Sequence, residues 1–143
     1  VTAGEWIERA LRYGKEDRLP LMLDDTITFF SRLTEGAYTG IAFQKNGMKV
    51  QRKDGTTFFP NELSQGTVEQ LYIALRLAFV KNTADIVSMP ILIDDGFVNF
   101  DEDRKNIMFT LLEELSEDVQ VLFFTFDDAC VQRFSQKQVY MLK

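Results

Sequence analysis

The run "ILIDDGFVNFDED" sets Asp94 and Asp95 side by side directly after an apolar stretch. Two adjacent carboxylates repel each other unless a proton or a cation offsets their charge. A hard divalent cation such as Mg²⁺, shared with substrate phosphates, is the natural partner for such a pair. Two alternatives stand beside it: one aspartate capping a turn while the other is solvated, or an acidic receiver-type phosphoacceptor pocket. Further upstream, "NELSQGTVEQLYIALRLAF" runs a polar, glycine-bearing opening straight into a strongly apolar helical pattern. A helix start presents unpaired N–H groups and the positive end of its dipole, which suits an anion. Gly66 would let the backbone approach such an anion with no Cβ in the way. Ser64 also reads as an ordinary N-cap, and the two roles are compatible.

These residues need elements to hold them. "AGEWIERALRYGK" has helical spacing, with Trp6, Ile7, Ala10 and Leu11 on one face. "RLPLMLDDTITFFSRLTEGAY" places Pro20 near a helix start, Leu23, Ile27, Phe30 and Leu33 on a stripe, and Gly36 at the C-cap. From Tyr38 the period changes. Asn46-Gly47 and Asp54-Gly55 separate β-prone runs, which predicts an antiparallel meander. The long helix after Ser64 turns Leu71, Ala74, Leu75, Ala78 and Phe79 inward. "PILIDD" and "VQVLFFTF" read as strands buried on both faces. Between them lies a helix with Asp101 as N-cap and Ile107, Leu111, Leu112 and Leu115 inward. "DDACVQRF" is a short helix and "QVYMLK" a closing strand. Strand, helix, strand, helix, strand is the order of an α/β fold with parallel strands and right-handed crossovers. Its ligands would sit at the carboxyl ends of the strands, where Asp94 and Asp95 emerge. The chain reads as one domain over residues 1–143: helical over 1–36, a β meander over 37–60, and the α/β part over 61–143.

Composition narrows the function. At 143 residues the chain can bury roughly 68–70% of its unfolded surface. A net charge of −6 argues against a broad electropositive face for DNA. Lys45, Lys49, Arg52 and Lys53 form a small basic strip on the meander, read first as a solvated strand face. Cys130 is the one cysteine, so no internal disulfide forms and a reduced, cytoplasmic compartment is the simplest expectation. No apolar run is long enough to span a bilayer. There is no histidine, which removes the commonest general base and metal ligand. The chain begins at Val1, which leads us to expect a piece of a longer polypeptide. Most of the 13 phenylalanines read as packing, with Phe97, Phe100 and Phe126 as exceptions that flank the acidic strand end.

Taken in order, "LSQG", "ILIDD" and "NFD" resemble the signature, Walker B and D-loop motifs of ABC-type ATPases. The spacing is similar to the carboxy-terminal lobe of the SMC-like branch, which includes the SbcC-type DNA-repair ATPases, and most of all to the bacterial YhaN-like group. "FFSRLTEGAY" resembles the segment by which such proteins leave their coiled coil. The resemblance implies a P-loop NTPase-like fold and the following roles. Ser64, Gln65 and Gly66 would meet the γ-phosphate of ATP held by an opposite head. Asp94 would hold Mg²⁺, and Asp95 would polarise the attacking water. Most relatives carry glutamate at that last position, and aspartate is one methylene shorter. Asn99 and Asp101 would form the D-loop; capping alone accounts for Asp101 equally well. After "VLFFT" the family places a switch histidine. Here Phe126, or Asp127 one place on, occupies the position, and neither can donate a hydrogen bond to phosphate.

A P-loop needs "GxxxxGK[ST]" spacing. Gly14-Lys15 lacks the earlier glycine and is followed by Glu16. The chain therefore reads as half a head that works only with an amino-terminal P-loop lobe and a second head, as a homodimer. DNA and a nuclease subunit are partners by family likeness alone. Two functions follow: part of an ATP-hydrolysing, SMC-like enzyme of DNA repair or chromosome maintenance, or a nucleotide-gated clamp that binds ATP without useful turnover. A receiver-like signalling domain ranks below both, because no lysine follows the later strand.

Overall fold

The computed structural model describes residues 18–94, 97, 100–134 and 139–142. The expected first helix, with Trp6, Ile7, Ala10 and Leu11, lies outside the described residues, as do Asp95 and Asn99. Helix α1 (Arg18–Leu33) ends where Glu35 and Gly36 take positive φ values of 53° and 80°, and the Gly36 N–H donates to the Ser31 carbonyl. Glycine adopts that left-handed conformation without strain, so Gly36 closes the helix as its sequence position suggests. The buried stripe of α1 is Met22, Thr26, Phe29, Phe30 and Leu33. Leu23 and Ile27, expected inward, are only half-buried. Thr26 escaped the apolar pattern because its hydroxyl is satisfied within the helix, donating to the Met22 carbonyl at 2.7 Å.

The meander forms as expected: β1 (Tyr38–Gln44), β2 (Gly47–Arg52) and β3 (Thr57–Phe58) pair antiparallel in sequence order. Gly47 and Gly55 hold φ values of 112° and 90° at its two turns. Arg52 donates from Nε and Nη2 to the Asp54 carboxylate, which also accepts from the Thr56 N–H, so the second turn is pinned from both sides. A short 3₁₀ turn (Pro60–Glu62) leads into the long helix α2 (Gln65–Thr83). On α2, Leu71, Ala74, Leu75, Leu77 and Ala78 are buried, and the helix packs along α1. Phe79 only packs against the margin of the core. Gln70 is buried too, and its side-chain amide donates to the carbonyl of Leu33, the last residue of α1, at 2.8 Å. Near the other end of the pair, Asp25 accepts from Lys81 and Asn82 at 2.9 Å each.

Strand β4 (Ile91–Asp94), helix α3 (Glu102–Leu115) and strand β5 (Val121–Phe124) make a crossover unit whose two strands pair in parallel, Ile91 opposite Val121 and Asp94 opposite Phe124. Helix α4 (Asp128–Arg133) follows, with Asp127 as N-cap. The buried face of α3 is Met108, Phe109, Leu111, Leu112 and Leu115, and Ile107, half-buried, packs against the margin of the core. The strands themselves depart from expectation. Ile91, Ile93, Val121 and Phe123 pack against the core, but Leu92, Leu122 and Phe124 on the other face are 65%, 37% and 45% exposed. Burial alternates with the period of two because helices cover one face only among the described residues. The closing strand is also absent over residues 139–142, which are exposed and unpaired by any strand. The α/β fold class stands, with two parallel strands among the described residues rather than three.

Candidate functional site

Ser64 is the N-cap of α2. Its backbone is extended, its Oγ accepts from the Thr67 N–H at 3.2 Å, and it shares a second hydrogen bond with the Thr67 hydroxyl at 2.8 Å. The approach to it is fixed by the 3₁₀ turn, where the Phe59 N–H donates to the Glu62 carboxylate at 2.7 Å. Ser64 and Gln65 lie on the surface and Gly66 is half-buried. The Gln65 side chain reaches only to Glu69, at 3.4 Å.

Gly66 is informative because its own fold gives no reason for it. Its φ is outside the left-handed region. A Cβ built on it would meet, apart from its chain neighbours and its own helix backbone, one heavy atom within 4 Å: Arg104 Nη1, at 3.7 Å, an ordinary van der Waals separation. Alanine would fit among the described residues and would favour the helix.

Asp101 caps α3, its Oδ1 accepting from the Arg104 N–H at 2.8 Å, while Arg104 Nε lies 3.7 Å from Oδ2. The starts of α2 and α3 therefore meet at Arg104. The motif reading missed this residue, although an aspartate followed three positions on by an arginine at a helix start was a readable signal. Asp94 ends β4 at the carboxyl edge of the parallel pair, exposed and on the uncovered face. One accessible carboxylate at that edge suits Mg²⁺, which keeps several waters and takes one or two carboxylates beside substrate phosphates. The described residues contain no cluster of three or more acidic, histidine or cysteine ligands, so no all-protein metal cage arises from them.

Phe97 and Phe100, singled out as exceptions to packing, are core residues at 6% and 5% exposure; their rings stack at 5.5 Å and Phe97 also meets Phe109 and Phe123. Phe126 is 97% exposed. On the meander, Lys49 and Arg52 lie over the rings of Phe59 and Phe58, at 4.6 and 5.3 Å from their centroids. No described helix is long and apolar enough to cross a membrane.

No protein-family model matches the chain. A curated protein of Bacillus subtilis (strain 168), the uncharacterised protein YhaN, is 36% identical over 139 residues, covering 95% of this chain. The chain spans 14% of that relative's length. Among solved structures, the SMC head domain from Thermotoga maritima is similar with a TM-score of 0.57 at 16% identity, over 92% of this chain and 45% of the other.

Proposed function

We propose that the chain, similar in fold to an SMC head domain and in sequence to YhaN, supplies the signature, Walker B and D-loop half of an ATP site that is completed by an amino-terminal P-loop lobe and a second head. The observation that carries this is Gly66: a helix-weakening residue at an exposed helix mouth, where neither backbone angle nor space within the chain requires it. A phosphate drawn up to the amides of α2 from another molecule supplies the missing reason. Ser64 and Gln65 flank that approach from the surface. Asp94 would hold Mg²⁺, whose charge would stabilise the triphosphate oxygens. Asp95 would orient water for attack, with Asn99 and Asp101 crossing to the other head. The uncovered face of β4 and β5 fits a second lobe of the same head. We place the protein in the cytoplasm, with DNA and a nuclease as partners by family likeness.

A second reading, a clamp that closes on ATP without useful turnover, is favoured by Asp95 in place of glutamate and by an exposed Phe126 where a hydrogen-bond donor is needed. Reuniting the two lobes separates the readings. Phosphate release that Asp95→Asn abolishes supports the enzyme, ATP-dependent head association without release supports the clamp, and neither response rejects both.

A further inference from the structure

We infer that Arg104 is a positioning residue that fixes the mouth of α2 against the start of α3, an inference that rests on the proposed nucleotide role of that mouth. Two side-chain observations carry it, beside a backbone bond that any residue at 104 would make. The Arg104 N–H is the donor to the Asp101 cap at 2.8 Å. Its Nε returns to the same carboxylate at 3.7 Å. Its Nη1 is the atom beyond α2 that stands over Gly66, 3.7 Å from where a Cβ would lie. Its side chain is 35% exposed, so the pair with Asp101 is a surface pair of neighbouring turns, which by itself stabilises little.

The planar guanidinium presents Nε to one side and Nη1 to the other in a fixed geometry. One side chain thereby spans the residue that begins α3 and the glycine in the first turn of α2. The guanidinium fills the space between Asp101 and Gly66 and so limits how near the start of α3 can come to the mouth of α2. Lysine has a single charged head and can meet Asp101 or stand over Gly66, not both. The role is therefore one of shape as well as charge.

The test uses the full-length protein carrying this lobe, with two readouts: loading of a fluorescent ATP analogue onto separated heads, and ATP-dependent head association by sedimentation. Arg104→Gln is expected to leave loading and thermal unfolding unchanged and to weaken association about ten-fold, within the range found for coupled neighbours. Arg104→Lys is expected to recover little of that loss. Parent-like association of Arg104→Gln, or full recovery by Arg104→Lys, overturns the inference. Gly66→Ala in the same assay separates the levels. If Gly66→Ala associates like the parent, the nucleotide reading of α2 fails and takes the inference with it. If Gly66→Ala loses association while Arg104→Gln keeps it, only the inference fails.

Discussion

At Ser64 and Gly66 the demands of folding and of ligand binding can be pulled apart by single substitutions. Ser64 has a visible structural duty, since its Oγ satisfies the Thr67 N–H at the head of α2. Ser64→Ala should cost about 1 kcal/mol of stability, the usual loss for a serine N-cap, and any effect on ATP would be mixed with that loss. Gly66 has no such duty, because a Cβ there meets only Arg104 Nη1 at 3.7 Å. Gly66→Ala should therefore leave stability unchanged or raise it by up to about 1 kcal/mol. In the reunited head the same methyl group would stand between the α2 amides and an approaching phosphoryl group. Chemical denaturation and ATP-dependent association should then move in opposite directions. A variant that is less stable yet associates normally would show that Gly66 serves the fold after all.

The elements carry a pH dependence at two ion pairs, one in the meander and one between α1 and α3. Hydrogen bonds from the Arg52 guanidinium, and secondarily from the Thr56 N–H, hold the Asp54 carboxyl well below the usual carboxylate range. A group whose folded pKa is depressed stabilises fully above its unfolded value, near ~3.9, and that contribution drains away as pH falls further. Glu114 on α3 behaves in the same sense, lowered by the hydrogen bonds from Arg32 of α1 at 2.7 and 3.0 Å. Asp54→Asn should thus lower the thermal midpoint at neutral pH, and the gap from the parent should narrow as pH drops from about 4 toward 2. A gap that stays constant through that range would remove Asp54 from the acid response. The same turn shows why much of the fold was legible: Asn46-Gly47 and Asp54-Gly55 specify left-handed turn residues locally, and Ser64 and Asp101 announce helix starts through their own side chains. Ser64, Gln65, Gly66, Asp94 and Asp101 were likewise expected at element ends, and that is where they lie. What was not legible depends on packing between elements. Thr26 takes a core place through its bond to the Met22 carbonyl, and Arg104 matters through a neighbour, Gly66, distant in sequence. Leu92, Leu122 and Phe124 read as doubly buried because sequence records how apolar a strand is, not which polypeptide covers it.

At the scale of the whole molecule, the core lies on one side of the β4–β5 pair, and among the described residues nothing covers the opposite face. Leu92 faces Leu122 across the pair and Phe124 follows on the same side, so the exposed apolar side chains form a continuous strip beside Asp94. Such an apolar strip on an uncovered sheet face is an association surface. If the P-loop lobe covers this strip, Leu92→Asp should have little effect on the fold of this lobe, because Leu92 is 65% exposed. Pairing with the P-loop lobe should suffer far more. Losing the burial of one leucine, about 1.5–3 kcal/mol, corresponds to roughly ten- to a hundred-fold in affinity. Co-expression followed by quantitative pull-down measures that loss, and circular dichroism of the purified variant checks the fold. Equal recovery of the P-loop lobe by parent and variant would mean that the strip faces something else, such as a second copy of this lobe, which sedimentation of the same samples would reveal.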